Sequence, residues 1–152
     1  NVVLVEPEIP PNTGSIARLC AAQGLRLHLV GPLGFTIDDK HLRRAGLDYW
    51  PFVDLRQYTS WAAFVQTAPL RRCLYYSARA VRAYDEVRHR RGDWLVFGGE
   101  SRGLPPGILS GARSSTYAIV LHTANVRSLN LSNAVSIVVA EALRQLAPDD
   151  EC

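Results

Sequence analysis

Long apolar runs are missing from this chain of 152 residues, so no segment is fit to cross a membrane as a helix. No signal peptide is visible, although the chain starts at Asn1 without Met, and a cytoplasmic protein is the expectation. Cysteine is scarce. Cys20, Cys73 and Cys152 form no CxxC or CxxH pair, which leaves buried or free thiols as their reading. The four histidines, His28, His41, His89 and His122, lack metal-ligand spacing, so no metal is expected. Two familiar motifs are also absent: a GxxxxGK(S/T) loop and a GxGxxG after the first strand. Their absence argues against a P-loop nucleotidase and weakens a dinucleotide-binding domain.

Lysine is nearly absent too. Of 17 basic residues, 16 are Arg and one is Lys40. Arg71, Arg72, Arg79, Arg82, Arg88, Arg90 and Arg91 crowd one segment. Guanidinium forks match phosphate oxygens, so this segment is either an RNA-facing strip or a solvated face.

What is present suits one domain spanning residues 1–152. Hydrophobic residues make up 47% and charged residues 20%, enough apolar material for a core in an ordinary soluble chain. Asn1–Val5 reads as a buried strand and Pro10–Gly14 as a loop, with Asn12 or Thr13 capping a helix over Ser15–Gln23 that Gly24 closes. Leu27–Val30, Cys73–Ser77, Trp94–Phe97 and Ala118–Leu121 read as strands. Asp38–Ala45, Trp61–Thr67 (capped by Ser60) and Ser132–Leu146 read as helices. Alternating strands and helices predict an α/β fold with a mainly parallel sheet flanked by helices. The last helix carries Val135, Val138, Val139, Ala142, Leu143 and Leu146 on one stripe, widened by Ile137 and Ala140. Such a helix is deeply buried or shared with a second subunit.

Three strand-to-helix turns hold the candidate site, at the sheet edge where α/β proteins bind ligands. The first is Pro11-Asn12-Thr13-Gly14, with Arg18 expected on the inner face of the following helix. The second is Phe97-Gly98-Gly99-Glu100-Ser101-Arg102-Gly103-Leu104, where paired glycines admit a flat ligand and Glu100 can accept hydrogen bonds or orient an arginine. The third is Arg127-Ser128-Leu129-Asn130-Leu131-Ser132-Asn133-Ala134, more polar than helix capping by Asn130 or Ser132 requires.

Taken in order, these turns resemble the three motifs of the SPOUT superfamily of RNA methyltransferases, over Val2 to about Leu146. Glu6–Gly14 and Leu42–Tyr49 are similar to the subgroup that methylates the wobble ribose of tRNA at cytidine or uridine. The resemblance implies a C-terminal trefoil knot, a homodimer, a tRNA substrate, and S-adenosylmethionine bound in the knot loops, with S-adenosylhomocysteine as product. By position it implies cofactor contacts from Tyr76, Gly98, Val120 on the last strand, Leu121, Ser128, Leu129 and Ala134. It gives Arg18 the catalytic role, with Asn12, Glu100 and Asn130 holding this arginine and the ribose. A guanidinium is a poor proton acceptor, so Arg18 either loses its proton with help from a phosphate or Glu100, or orients a phosphate and stabilises a developing alkoxide. Three residues depart from the pattern: Gly99 where proline is usual, His122 in Leu121-His122-Thr123, and Ala140 where a relative has tyrosine. The alternatives are a ribosomal RNA ribose methyltransferase, a non-catalytic RNA-binding module of the same fold, and a flavodoxin-like signalling domain.

Overall fold

The computed structural model describes residues 1–37 and 48–147. The helix expected over Asp38–Ala45, and all of Leu42–Tyr49 except Asp48 and Tyr49, lie outside the described residues. Among the described residues, seven strands form one parallel sheet: β1 (Val2–Val5), β2 (Arg26–Val30), β3 (Asp54–Tyr58), β4 (Cys73–Tyr76), β5 (Arg82–Ala83), β6 (Trp94–Gly98) and β7 (Thr116–Ala118). Their spatial order is β3-β2-β1-β6-β4-β7-β5, and every pairing is parallel. The helices are α1 (Pro10–Gln23), α2 (Trp61–Val65), α3 (Pro106–Gly111) and α4 (Leu131–Leu146).

A parallel sheet must be covered on both faces, so its strands are apolar throughout rather than alternating. Strand β1 shows this: Val2 and Leu4 join a core with Ile16, Ala17 and Cys20 of α1 and Val135, Val138 and Val139 of α4. Val3 and Val5 point into a second core with Phe64, Tyr75, Leu104 and Ile108. Each such side chain contributes roughly 1.5–3 kcal/mol by leaving water. His28 is buried in β2, next to the edge strand, yet its two ring nitrogens meet the Tyr58 hydroxyl at 3.0 Å and the Asn1 side-chain oxygen at 3.1 Å.

Several expectations need correction. Helix α1 begins at Pro10, so Pro10–Gly14 is its first turn and not a loop. Proline is tolerated there because the first helical N–H groups have no partner within the helix. Neither Asn12 nor Thr13 caps it; the N-cap position is Ile9, which offers no side-chain acceptor. Gly24 does close the helix, at φ 63°. The last strand is Thr116–Ala118, which shares only Ala118 with the expected span, so Val120 and Leu121 lie beyond it. Strands β3 and β5 carry too many charged and polar residues for apolar patterning to reveal; β3, DLRQY, sits at the sheet edge where such residues face solvent. The wide apolar surface of α4 is largely consumed inside the chain, where Val135, Val138, Val139 and Ala142 are buried.

Candidate functional site

The chain leaves β1 toward β2 on one side, and β6 closes the other side of β1. Strand order therefore reverses at the β1–β6 junction, and the crevice outside the carboxyl ends of such strands is where open α/β sheets bind ligands. Here the segment after β1 meets the segment after β6, and the two are stitched together by side chains.

Glu100 is the first stitch. Its carboxylate accepts hydrogen bonds from the backbone N–H groups of Glu8 at 2.7 Å and Ile9 at 3.1 Å, and from the Asn12 amide at 3.3 Å. Helix α1 has no acidic residue in its first turn and no side-chain cap of its own. Glu100 supplies both from the other loop: an acceptor for N–H groups at the helix start and a negative charge at the positive end of its dipole. Glu100 was expected to accept hydrogen bonds or to orient an arginine; acceptance is what the geometry displays.

Asn12 carries the connection onward. Its Nδ2 donates to Glu100, and its Oδ1 accepts from Asn130 Nδ2 at 3.0 Å. Asn130 Oδ1 then caps α4, accepting from Ser132 N at 3.0 Å, Ser132 Oγ at 2.6 Å and Asn133 N at 3.4 Å. An ionised carboxylate only accepts, so Asn12 must turn its NH2 toward Glu100. That leaves its oxygen for Asn130, whose own oxygen is left for the helix. The orientation of both amides follows from the network. Three motifs widely separated in sequence thus form one directional chain joining two helix N-termini.

The glycine turn owes its shape to close backbone packing. A Cβ on Gly98 would overlap the carbonyl carbon of Gly103 and the nitrogen of Leu104, and one on Gly99 would overlap the Glu6 carbonyl oxygen. Gly99, the departure from the family pattern, is therefore what lets this turn close on the end of β1. Gly103 N donates back to Gly99 O at 2.9 Å, with Gly103 at φ 66°.

Tyr76, at the carboxyl end of β4, stacks on Phe97 with centroids 4.9 Å apart; its hydroxyl is buried without a hydrogen-bond partner among the described residues. Burial pushes that phenol well above its usual range, so it remains a neutral donor. Beyond β7, Val120 is 57% exposed, Leu121 and Leu129 are half-buried, and His122 and Ser128 are exposed. Among the described residues, Val120–Leu129 form no backbone–backbone hydrogen bond, and the Asn125 N–H takes Thr123 Oγ1 instead. A stretch of this length leaves its peptide groups open to water or a ligand. Ala134 is half-buried in the first turn of α4, and Ala140 is exposed on that helix.

Arg18 is on the exposed side of α1, not the inner face. Its guanidinium lies over the Tyr49 ring, 5.7 Å from the centroid, and the Tyr49 hydroxyl donates to Gly14 O at 2.9 Å. Burial raises the Tyr49 phenol, opposed by Arg18, so Tyr49 stays a neutral cradle for the cation. Six residues separate Asn12 from Arg18, which turns them to different faces of the helix. No hydrogen bond joins Arg18 to Asn12, Glu100 or Asn130 among the described residues.

The arginine segment is divided. Arg79 and Arg82 follow β4 at the site edge, whereas Arg71, Arg88, Arg90 and Arg91 precede β4 or β6 at the opposite edge. Arg72 is tied to Asp93 and Arg82 lies over Tyr117 at 4.7 Å. Two open depressions of about 520 and 430 Å³ also lie at that opposite edge, sharing His89 and Ala147, and neither touches the loop network. No group of three or more His, Cys, Asp or Glu among the described residues could hold a metal, and no described helix is long and apolar enough to cross a membrane.

Glu8, Ser101 and Tyr49 join the site without having been singled out from sequence. Contacts across 92 and 93 positions leave no trace in local spacing; all three residues lie in stretches that carry the resemblance, but no role was assigned to any of them.

Comparison with known proteins bears on this geometry. The model of the SpoU rRNA methylase family matches residues 1–140. The chain is 47% identical over 146 residues to the tRNA (cytidine(34)-2′-O)-methyltransferase of Escherichia coli K12, covering 96% of this chain and 93% of that one. A structure solved for insights into "the 2-OH methylation of C/U34 on tRNA" matches with a TM-score of 0.88 and 50% identity, over 95% of this chain and 94% of that one. The methyltransferase AviRb of Streptomyces viridochromogenes, solved with AdoMet, shares the fold with a TM-score of 0.81 at 23% identity, over 95% of this chain and 57% of AviRb.

Proposed function

The chain belongs to the SpoU rRNA methylase family, and we propose that it transfers a methyl group to the ribose 2′-oxygen of the tRNA wobble nucleotide, cytidine or uridine 34, as its relatives' names describe for them. The observation that carries this reading is the chain Glu100–Asn12–Asn130, which gathers all three expected motifs at the β1–β6 crevice.

The proposed cofactor is S-adenosylmethionine, and the residues present fit it. Tyr76 offers a buried hydroxyl without a partner, Gly98 a surface of bare backbone, and Val120–Leu129 a run of peptide groups not committed to one another. Leu121, Leu129 and Ala134 are the proposed apolar lining, and Ser128 a polar contact. Bound there, the cofactor supplies a methyl already activated by its sulfonium charge and leaves as S-adenosylhomocysteine.

The chain's own residues then have the task of placing the nucleophile. Positioning can account for much of such a rate enhancement, because the donor needs no further activation. Asn12 and Asn130 each commit one Nδ2 hydrogen to the network, and the second hydrogens are the proposed donors to the ribose. Glu100 sets the orientation of both amides. Arg18, exposed and backed by Tyr49, is proposed to bind the adjoining phosphate and stabilise negative charge developing on the 2′-oxygen. This electrostatic role fits the geometry better than proton abstraction with help from Glu100, since Glu100 is occupied by α1; the 2′-hydroxyl proton then passes to solvent as the methyl is transferred.

A trefoil knot, a homodimer and a cytoplasmic location complete the proposal. Val120, also a proposed cofactor contact, and Val126 are exposed within the cofactor segment, which supports a covering partner subunit. Labelled S-adenosylmethionine incubated with total tRNA, then mapped by nucleoside, should place the label on the ribose of nucleotide 34; label found only in ribosomal RNA would reject the substrate. Arg18→Ala should lower transfer by about 10²-fold or more while the cofactor still binds. Unchanged turnover would remove Arg18 from the mechanism.

A further inference from the structure

We infer that Glu8 and Ser101 are positioning residues, a latch that holds the glycine turn after β6 in fixed register with the start of the helix carrying Arg18. The inference rests on the methyltransferase reading above. Glu8 lies between β1 and α1, and Ser101 follows Glu100 in the glycine turn. Ser101 donates its hydroxyl to the Glu8 carboxylate, with both oxygens at 2.7 Å, and its N–H to Oε1 at 3.2 Å. The neighbouring Glu100 carboxylate returns the interaction, accepting the N–H groups of Glu8 and Ile9. Each loop therefore lends a carboxylate to the backbone of the other.

This crossed pair goes beyond what capping α1 requires, because Glu100 alone accomplishes that. The Glu8 backbone is also closely packed, although its carboxylate is exposed. Gly34 donates to Pro7 O at 3.0 Å, and a Cβ on Gly34 would come within 2.9 Å of Glu8 Cα. On the other side Gly99 packs on Glu6 O, and its missing Cβ leaves room 3.0 Å from Glu8 Oε1. The segment has little freedom to drift, so the Glu8 side chain transmits the position of β1 to the turn. The Ser101 hydroxyl, then its N–H and the nearby Arg102 charge, hold the Glu8 carboxyl below its usual range, which keeps the latch charge-assisted at neutral pH. Neither residue is bonded to Arg18, Asn12 or Asn130 among the described residues, so their effect is indirect.

Methyl donor and acceptor are held by different loops, and transfer requires both in register. Opening the latch lowers the fraction of molecules with the cofactor turn in its competent place, and apparent affinity falls by that fraction. Calorimetric binding of S-adenosylmethionine and single-turnover transfer to tRNA should be measured on the full chain for Glu8→Ala, Ser101→Ala, Ser101→Thr and the double alanine variant. Each single alanine change should weaken cofactor binding by roughly tenfold. The double variant should be no weaker than Glu8→Ala alone, and Ser101→Thr, which keeps a hydroxyl, should restore affinity. A merely structural pair would lower the melting temperature and leave the affinity of the folded protein unchanged. Wild-type affinity in folded Ser101→Ala, or losses that multiply in the double variant, would refute the latch and leave the function standing. A wild-type chain that neither binds S-adenosylmethionine nor methylates tRNA would instead remove the reading on which the latch rests. Should Glu8→Ala fail to fold, the Ser101→Ala and Ser101→Thr comparison decides the matter.

Discussion

Asn12→Asp changes no volume and reverses one hydrogen-bonding direction. The native amide donates to Glu100 at 3.3 Å and accepts from Asn130 at 3.0 Å. An aspartate keeps the second contact and turns the first into two facing carboxylates. The lost hydrogen bond to a charged group is worth roughly 1.5–3 kcal/mol. Repulsion at that distance adds about 1 kcal/mol in water-like surroundings and about 5 kcal/mol at an effective dielectric near 20. The contact is partly buried, so a value between these applies, limited by uptake of one shared proton. A total destabilisation of about 3 kcal/mol at neutral pH lowers the melting temperature by roughly 6–12 °C for a chain of this size. The diagnostic feature is its pH dependence. As pH falls from neutral into the acid range, the facing carboxylates come to share a proton, donation between the two residues is restored, and most of the defect should vanish. Thermal melts and cofactor titrations of Asn12→Asp and Asn12→Ala across that range test this, because the alanine variant has no proton to gain. If Asn12→Asp matches the wild type at neutral pH, or its defect does not shrink on acidification, the orientation of the Asn12–Asn130 chain is wrong.

Two further outcomes follow from other parts of the fold. Gly98→Ala forces the Gly103–Leu104 backbone to move and should cost about 1–3 kcal/mol in urea melts together with loss of cofactor binding; native stability would contradict the close approach. Burial, aided by neighbouring positive charge, lowers the His28 imidazole from its ordinary 6.5 to about 4. Above 6.5 the imidazole is neutral in both states, whereas between 6.5 and about 4 the unfolded chain takes up the proton first. Stability should therefore fall by up to about 3 kcal/mol as pH drops through that window, and His28→Phe should flatten the slope; an unchanged slope would locate the titration elsewhere.

Legibility differed from element to element. Buried strands such as β1 and β6 announce themselves because a sheet covered on both faces requires continuous apolar runs. Edge strand β3 did not, because its charged side chains face water. Helix α1 was placed too late because its prolines read as a loop, and its cap comes from Glu100, about 90 residues away. The last strand was placed too far along because Ile119–Leu121 is apolar without being paired in the sheet. The arginine segment looked continuous, but the strands it spans run from one sheet edge to the other and divide it.

By itself, the sequence determined the parallel α/β fold and the family through three ordered motifs, and the resemblance pointed to Asn12, Glu100 and Asn130 as partners, which the structure joins in one hydrogen-bonded chain. The fold rests on local chemistry, with apolar period, glycine where backbone must approach and small polar side chains at helix starts, whereas the family and the grouping of these residues rest on resemblance. Only the tertiary structure decided how the members are joined. Glu100 became a cap for a distant helix, Asn12 a bridge whose amide orientation is set at both ends, and Glu8 with Ser101 a second tie across the same crevice. Arg18 was placed outside that network, over Tyr49. The physical reason is that hydrogen bonds act over about 3 Å of space and carry no mark of separation along the chain, so partners become known only once β1 and β6 lie side by side.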